Sequence, residues 1–151
     1  MNMKDLKLNI LKPVFSLLII LMIVVIVSAC GGDDGPSEPT AQEIAQQLLE
    51  STWTLENGSI MLDGQNVSAN YTGFTLVVAD GSFTTTNAGD LFPAIGTWKW
   101  VGQTNNQAET GRGKQLTFST LDATTFVFSF TKTSSNAVAG VSGNYVITLK
   151  K

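Results

Sequence analysis

From Thr52 onward, apolar and polar positions alternate with a period of two. That is the mark of strands with one buried face. Trp53 and Leu55 begin the pattern, and Phe74, Leu76 and Val78 continue it. Phe83 with Thr85, then Trp98 and Trp100, then Leu116 and Phe118 follow. Phe126, Phe128 and Phe130, and finally Tyr145, Ile147 and Leu149, complete seven predicted strands. Residues 60–67 carry the pattern of a further hairpin around Asp63-Gly64, and Asp80-Gly81 marks another tight turn. Turn signals recur about every 10 residues, as in all-β sandwiches and barrels. Short connections imply antiparallel neighbours, and one apolar face per strand implies closure on a single interior. Closure also removes exposed strand edges. The expected fold is therefore an all-β, antiparallel up-and-down barrel of about eight strands. A two-sheet β-sandwich is the alternative. One short helix precedes the strands. Thr40-Ala41-Gln42-Glu43 has the form of a capping box, and Ile44, Leu48 and Leu49 repeat at helical spacing up to Glu50. This helix is expected to cover one end of the domain.

The first thirty residues follow a different pattern. Lys4, Lys7 and Lys12 precede an apolar run at residues 14–27, broken only by Ser16. A transmembrane helix needs about 20 apolar residues, so this run has the length of a signal-peptide core. It ends in Val27-Ser28-Ala29-Cys30. That tetrapeptide resembles the bacterial lipobox. The resemblance implies diacylglyceryl transfer to the Cys30 thiol, cleavage before Cys30 and acylation of the new amino group. The expected organisation is a signal peptide over 1–29, a lipidated Cys and acidic tether over 30–39, and a β domain over 40–151. Gly31-Gly32-Asp33-Asp34-Gly35-Pro36-Ser37-Glu38-Pro39 cannot build a core and reads as a flexible tether. Its acidic pair resembles the export signal of surface lipoproteins of some Gram-negative bacteria, and a plain solvated linker is the other reading. The implied partner is a membrane held through N-terminal acyl chains, since two or more chains anchor a protein stably. The implied location is the outer membrane, at the cell surface.

Composition removes whole classes of chemistry. The chain has no His, which excludes imidazole acid/base catalysis and the Ser-His-Asp triad. It has one Cys, so an intrachain disulfide and a Cys-rich zinc site are excluded. The formal net charge is -3. Removal of the signal takes three Lys and one Asp, leaving six basic against eleven acidic side chains, a net of -5. The acidic balance argues against nucleic acid, which is not expected as a partner.

A short helix, a Trp at the start of the first strand and a meander of strands resemble the small lipocalin-like lipoproteins of Gram-negative bacteria. Gly96-Thr97-Trp98 and Gly140-Val141-Ser142-Gly143-Asn144-Tyr145 match motifs of their C-terminal half. The likeness covers residues 51–151. Two departures stand out. Ser51 occupies the position of a usual Gly two residues before the first-strand Trp. The Arg that lipocalins stack on that Trp has no strand counterpart, because the only Arg is Arg112, in a loop. The barrel floor is therefore expected to be built differently. The resemblance implies a non-catalytic binding domain for a small apolar ligand or a protein partner.

Ten of the sixteen alternating apolar residues are aromatic. Trp53, Phe74, Trp98, Trp100, Phe118, Phe128 and Tyr145 are the candidate ligand-binding set, because apolar pockets are lined by such rings. The same rings are large enough to fill a small barrel, which gives a structural or accessory lipoprotein without a ligand. Gly111-Arg112-Gly113-Lys114 lacks the strand-loop-helix context of a phosphate loop and reads as the end of a polar hairpin loop over 102–113. Such a loop is long enough to touch a partner or to cover a barrel mouth. Asp63, Asp80, Asp90 and Asp122 are the candidates for paired acid/base or calcium chemistry, but Asp63, Asp80 and Asp122 sit in turn contexts that explain them without either, and there is no Asp/Asn-rich calcium loop. No cofactor or metal is expected.

Overall fold

Thr40 caps the one α-helix among the residues described in this computed structural model, which are 37–133 and 141–151. The signal segment, Cys30 and the tether as far as residue 36 lie outside them. Helix α1 (Ala41–Leu49) has the reciprocal capping box. Thr40 Oγ1 accepts the Glu43 N–H at 3.2 Å, and the Glu43 carboxylate accepts the Thr40 N–H at 2.7 Å. These bonds hold the Glu43 carboxyl below its ordinary pKa. The helix turns Ala45 and Leu49 inward and leaves Ile44 exposed at 46%, so the buried stripe sits one residue away from the Ile44 expectation. No helix of the described residues is long and apolar enough to cross a membrane.

Nine strands follow. They are β1 (Thr52–Leu62), β2 (Gln65–Asn66), β3 (Thr75–Ala79), β4 (Ser82–Thr86) and β5 (Ile95–Trp100), then β6 (Gln107–Thr110), β7 (Gln115–Leu121), β8 (Thr125–Lys132) and β9 (Gly143–Lys150). A 3-10 turn, Ser68–Tyr71, separates β2 from β3. Every pairing is antiparallel, and pairing of β1 with β9 closes a ring of eight strands with β2 attached to β1 as an extra. The fold is thus the barrel, and the sandwich is excluded.

Closure depends on β1 changing partners along its length. Thr52, Trp53 and Thr54 pair with β3, while Ser59 to Leu62 pair with β9, and the register shifts between Thr54 and Ser59. Asn57 has φ 58° inside that shift. At Gly58 an added Cβ would lie 2.1 Å from the Thr148 carbonyl oxygen. A bulge of this kind bends a strand sharply, and here only glycine lets β9 approach the bend.

The inner faces interlock around Trp53, Ile60, Phe74, Phe126, Phe128, Ile147 and Leu149, all essentially inaccessible. Ring contacts run from Trp53 through Phe126, Phe128 and Phe130 to Tyr145, with centroids 4.7–6.4 Å apart. This spacing is the range in which aromatic pairs attract. Every residue of this core belongs to the compact unit Pro39–Lys151, which therefore encloses its own folding determinants.

One further point differs from the sequence reading. The polar loop expected over 102–113 contains β6, which directs only the small residues Ala108 and Thr110 inward. The cation over Trp53 is Lys151, with Nζ 4.5 Å from the ring centroid, and Arg112 lies far along the chain in the turn between β6 and β7.

Candidate functional site

The two ends of the barrel are built differently. At one end α1 is tied down by side chains. Trp53 Nε1 donates to the Leu49 carbonyl at 2.9 Å, and Gln42 Nε2 donates to the Thr104 carbonyl at 2.6 Å. The Lys151 ammonium donates to the Leu48 carbonyl at 3.3 Å. This end is covered, as the amphipathic helix implied.

At the other end, the β4–β5 connection folds inward. Ala88, Leu91 and Phe92 are buried, although they belong to no strand. Phe92 packs edge-on against Phe83, Phe128 and Phe130, with centroids 5.3–6.1 Å away. It acts as a stopper in the barrel axis. Below it the interior retains a void of only about 30 Å³, lined by residues such as Trp98, Phe118, Phe126 and Phe128. That is room for about one water and not for an organic ligand.

Above the stopper lies a cleft of about 1490 Å³, between the β4–β5 connection, the β6–β7 turn and the adjoining ends of β8 and β9. The short β6–β7 hairpin shapes it. β7 pairs with β8 only as far as Thr117 opposite Ser129, whereas β8 continues to Lys132 against β9. Phe130, Thr131 and Lys132 therefore border an opening on their β7 side.

Polar groups concentrate here. Lys132 forms an ion pair with Asp90, whose other oxygen accepts the Tyr71 hydroxyl at 3.3 Å. Burial, with Tyr145 nearby, pushes the Tyr71 phenol up to about 12. Tyr145 donates its own hydroxyl to the Val141 carbonyl at 2.9 Å. Lys114 reaches across the cleft and donates to the Leu91 carbonyl. Its Nζ lies 4.4 Å from the Phe92 centroid and 4.1 Å from that of Phe130. Desolvation lowers the Lys114 pKa to about 8, outweighing the attraction of the two ring faces.

The seven candidate ligand residues separate into distinct places. Tyr145 lines the cleft. Trp98, Phe118 and Phe128 border the small void. Trp53 and Phe74 are sealed in the core, and Trp100 is half-buried beside α1, its indole N–H 3.4 Å from Gln46 Oε1. Asp90, Phe92, Lys114 and Lys132 form the cleft's distinctive chemistry, and alternation could not single them out. The available signal was Lys114 after a Gly-Arg-Gly turn, a cation at the base of a hairpin that faces a barrel mouth. Among the described residues, no group of three or more His, Cys, Asp or Glu could hold a metal ion. Asp122 serves its turn by accepting the N–H groups of Thr124 and Thr125, whereas Asp63, in the β1–β2 turn, ties that turn to β9 by accepting the Asn144 N–H.

No family model, curated protein or solved structure matches the chain.

Proposed function

We propose that the chain is a lipoprotein of the bacterial outer membrane, anchored through Cys30 and exposed at the cell surface. Its lipocalin-like barrel is a non-catalytic binding domain for a small apolar ligand or a protein partner. The observation that carries the binding reading is the cleft of about 1490 Å³ over the Phe92 stopper, where half-buried Lys114 faces aromatic rings. Binding pockets combine apolar walls with a few placed polar groups, and this cleft has that make-up. The ligand position is accordingly the mouth of the barrel and not its interior.

A second reading has its own support. The interior void of about 30 Å³ fits a structural or accessory lipoprotein whose core is filled. Native mass spectrometry of residues 37–151, purified from the native host, separates the two. A small molecule released on denaturation favours the binding domain, and a clean apo mass favours the accessory reading. Incorporation of labelled palmitate into the full chain, abolished by Cys30→Ala, tests the anchor. Equal labelling of both chains would overturn it.

A further inference from the structure

The cleft's charge and shape give the binding reading proposed above a ligand chemistry, and the inference rests on that reading. Among residues 37–151 six side chains are basic and nine acidic, so the domain is acidic overall. Yet three of the six cations, Arg112, Lys114 and Lys132, line this one cleft, with Asp90 the single acidic residue among the described lining. Asp90 is already engaged by Lys132. Among the described residues, no carboxylate lies within ion-pair distance of Lys114 or Arg112. Lys114 is nevertheless partly withdrawn from water, with a backbone carbonyl as its hydrogen-bond acceptor. A Lys ammonium carries three donors, so this group retains donors for an incoming oxyanion. A half-desolvated cation without an anion is costly, and an anionic partner removes that cost.

The rest of the cleft defines the body of the ligand. Ile95, 76% exposed, and Val146 are large apolar residues left facing outward, and both line the cleft. They stand on β5 and β9, four strands apart in the ring, and add apolar surface to the cleft lining at two separate places. The interior void is too small to admit an alkyl tail. The apolar body must therefore remain in the cleft at the mouth.

We infer that the cleft binds an amphipathic carboxylate, its acid group paired with Lys114 and its apolar body held within the cleft at the barrel mouth.

The test is calorimetric titration of residues 37–151 with naphthoate, the uncharged naphthamide and acetate. Naphthoate is expected to bind, with naphthamide and acetate each weaker by about tenfold or more, which is about 1.4 kcal/mol. Lys114→Met should weaken naphthoate by about the same factor and weaken naphthamide by less. A readout in the wild-type domain does not depend on that variant folding. The carbon-13 resonance of the Lys114 Cε follows its titration, and bound naphthoate should move the midpoint upward from about 8. Naphthamide binding as tightly as naphthoate would overturn the inference and leave the binding cleft standing. Acetate binding as tightly as naphthoate would overturn the amphipathic part, reducing the site to a simple anion site. Absence of binding by all three, with a clean apo mass from the native host, would overturn the cleft reading along with the inference.

Discussion

Lys151 Nζ lies 4.5 Å from the centroid of the Trp53 ring, while the Trp53 indole N–H donates to the Leu49 carbonyl at 2.9 Å. One fully buried indole therefore joins the end of β9, the start of β1 and the last turn of α1. A cation on an aromatic face near solvent contributes about 0.5–1 kcal/mol. Lys151→Met is expected to lower stability by that amount. Trp53→Ala also removes a filled core position, which costs about 3–5 kcal/mol. Urea unfolding of the two single variants and the double variant checks this. The double-mutant cycle should show Lys151→Met costing less once Trp53 is gone. Strict additivity would mean that the ring and the ammonium do not interact.

Phe92 is the residue on which separation of core from cleft depends. It is buried, belongs to no strand and contacts three other Phe rings. Phe92→Ala should cost about 3–5 kcal/mol, as for other buried aromatic truncations. It should also connect the 30 Å³ void to the cleft, so that xenon or benzene binds inside the barrel. Crystallography of the variant under xenon pressure reads the outcome directly. An unchanged midpoint with a dry, closed interior would show that neighbouring rings collapse into the gap.

The bulge in β1 makes a separate prediction about closure. Gly58→Ala places a Cβ 2.1 Å from the Thr148 carbonyl oxygen, a backbone atom that cannot swing aside. Overpacking costs about 1–3 kcal/mol, and a rigid neighbour puts this variant at the upper end. Hydrogen exchange should show loss of protection along the β1–β9 pairs from Ser59 to Leu62, while the β3–β4 hairpin keeps its own. Uniform loss across the barrel would mean that closure and the remaining pairing are a single cooperative unit.

How much of this was legible in the residues follows from what alternation records. It finds strands that carry large inward rings, so the seven such strands and the hairpin at Asp63-Gly64 stand where the pattern put them. The box at Thr40 and Glu43 is local chemistry and was equally visible. β6 escaped because Ala108 and Thr110 are its inward residues, and neither stands out from a polar stretch. The cleft escaped for a deeper reason. Asp90 with Lys132, and Lys114 with Leu91, join groups 23–42 positions apart, brought together only when the barrel closes. Phe92 was hidden because a connection with Gly and Pro reads as a surface loop, yet this one folds into the barrel axis. The stacking of Lys151 on Trp53 depends equally on closure, since it joins opposite ends of the strand order.

Tyr71 predicts behaviour in strong alkali. Its phenol is raised from 10.0 to about 12, first by burial and then by Tyr145. A raised folded pKa means that the unfolded chain loses its proton first. The contribution to stability is complete below pH 10 and is lost as pH climbs toward 12. Following phenolate absorbance on raising pH, one tyrosine should ionise only near pH 12, and Tyr71→Phe should remove that late step. Ionisation of Tyr71 near pH 10 would place its phenol in solvent.

Lys114 predicts a pH dependence of the opposite sign. Burial lowers its pKa from 10.5 to about 8, so on raising pH the folded protein releases this proton before the unfolded chain does. Below pH 8 both states carry the charge, and the desolvation penalty is constant. Between about 8 and 10.5 the unfolded chain binds more protons, so stability rises with pH. Above 10.5 the penalty is gone. Lys114→Met lacks this titration and retains every other one, including that of Tyr71. The difference in melting temperature, wild type minus variant, should therefore be flat below pH 8 and climb between pH 8 and 10.5. Solvent reaching the ammonium from the open cleft reduces the size of the climb without changing its direction. A difference that stays flat to pH 10.5 would mean that the Lys114 ammonium is as well hydrated in the folded barrel as in the unfolded chain.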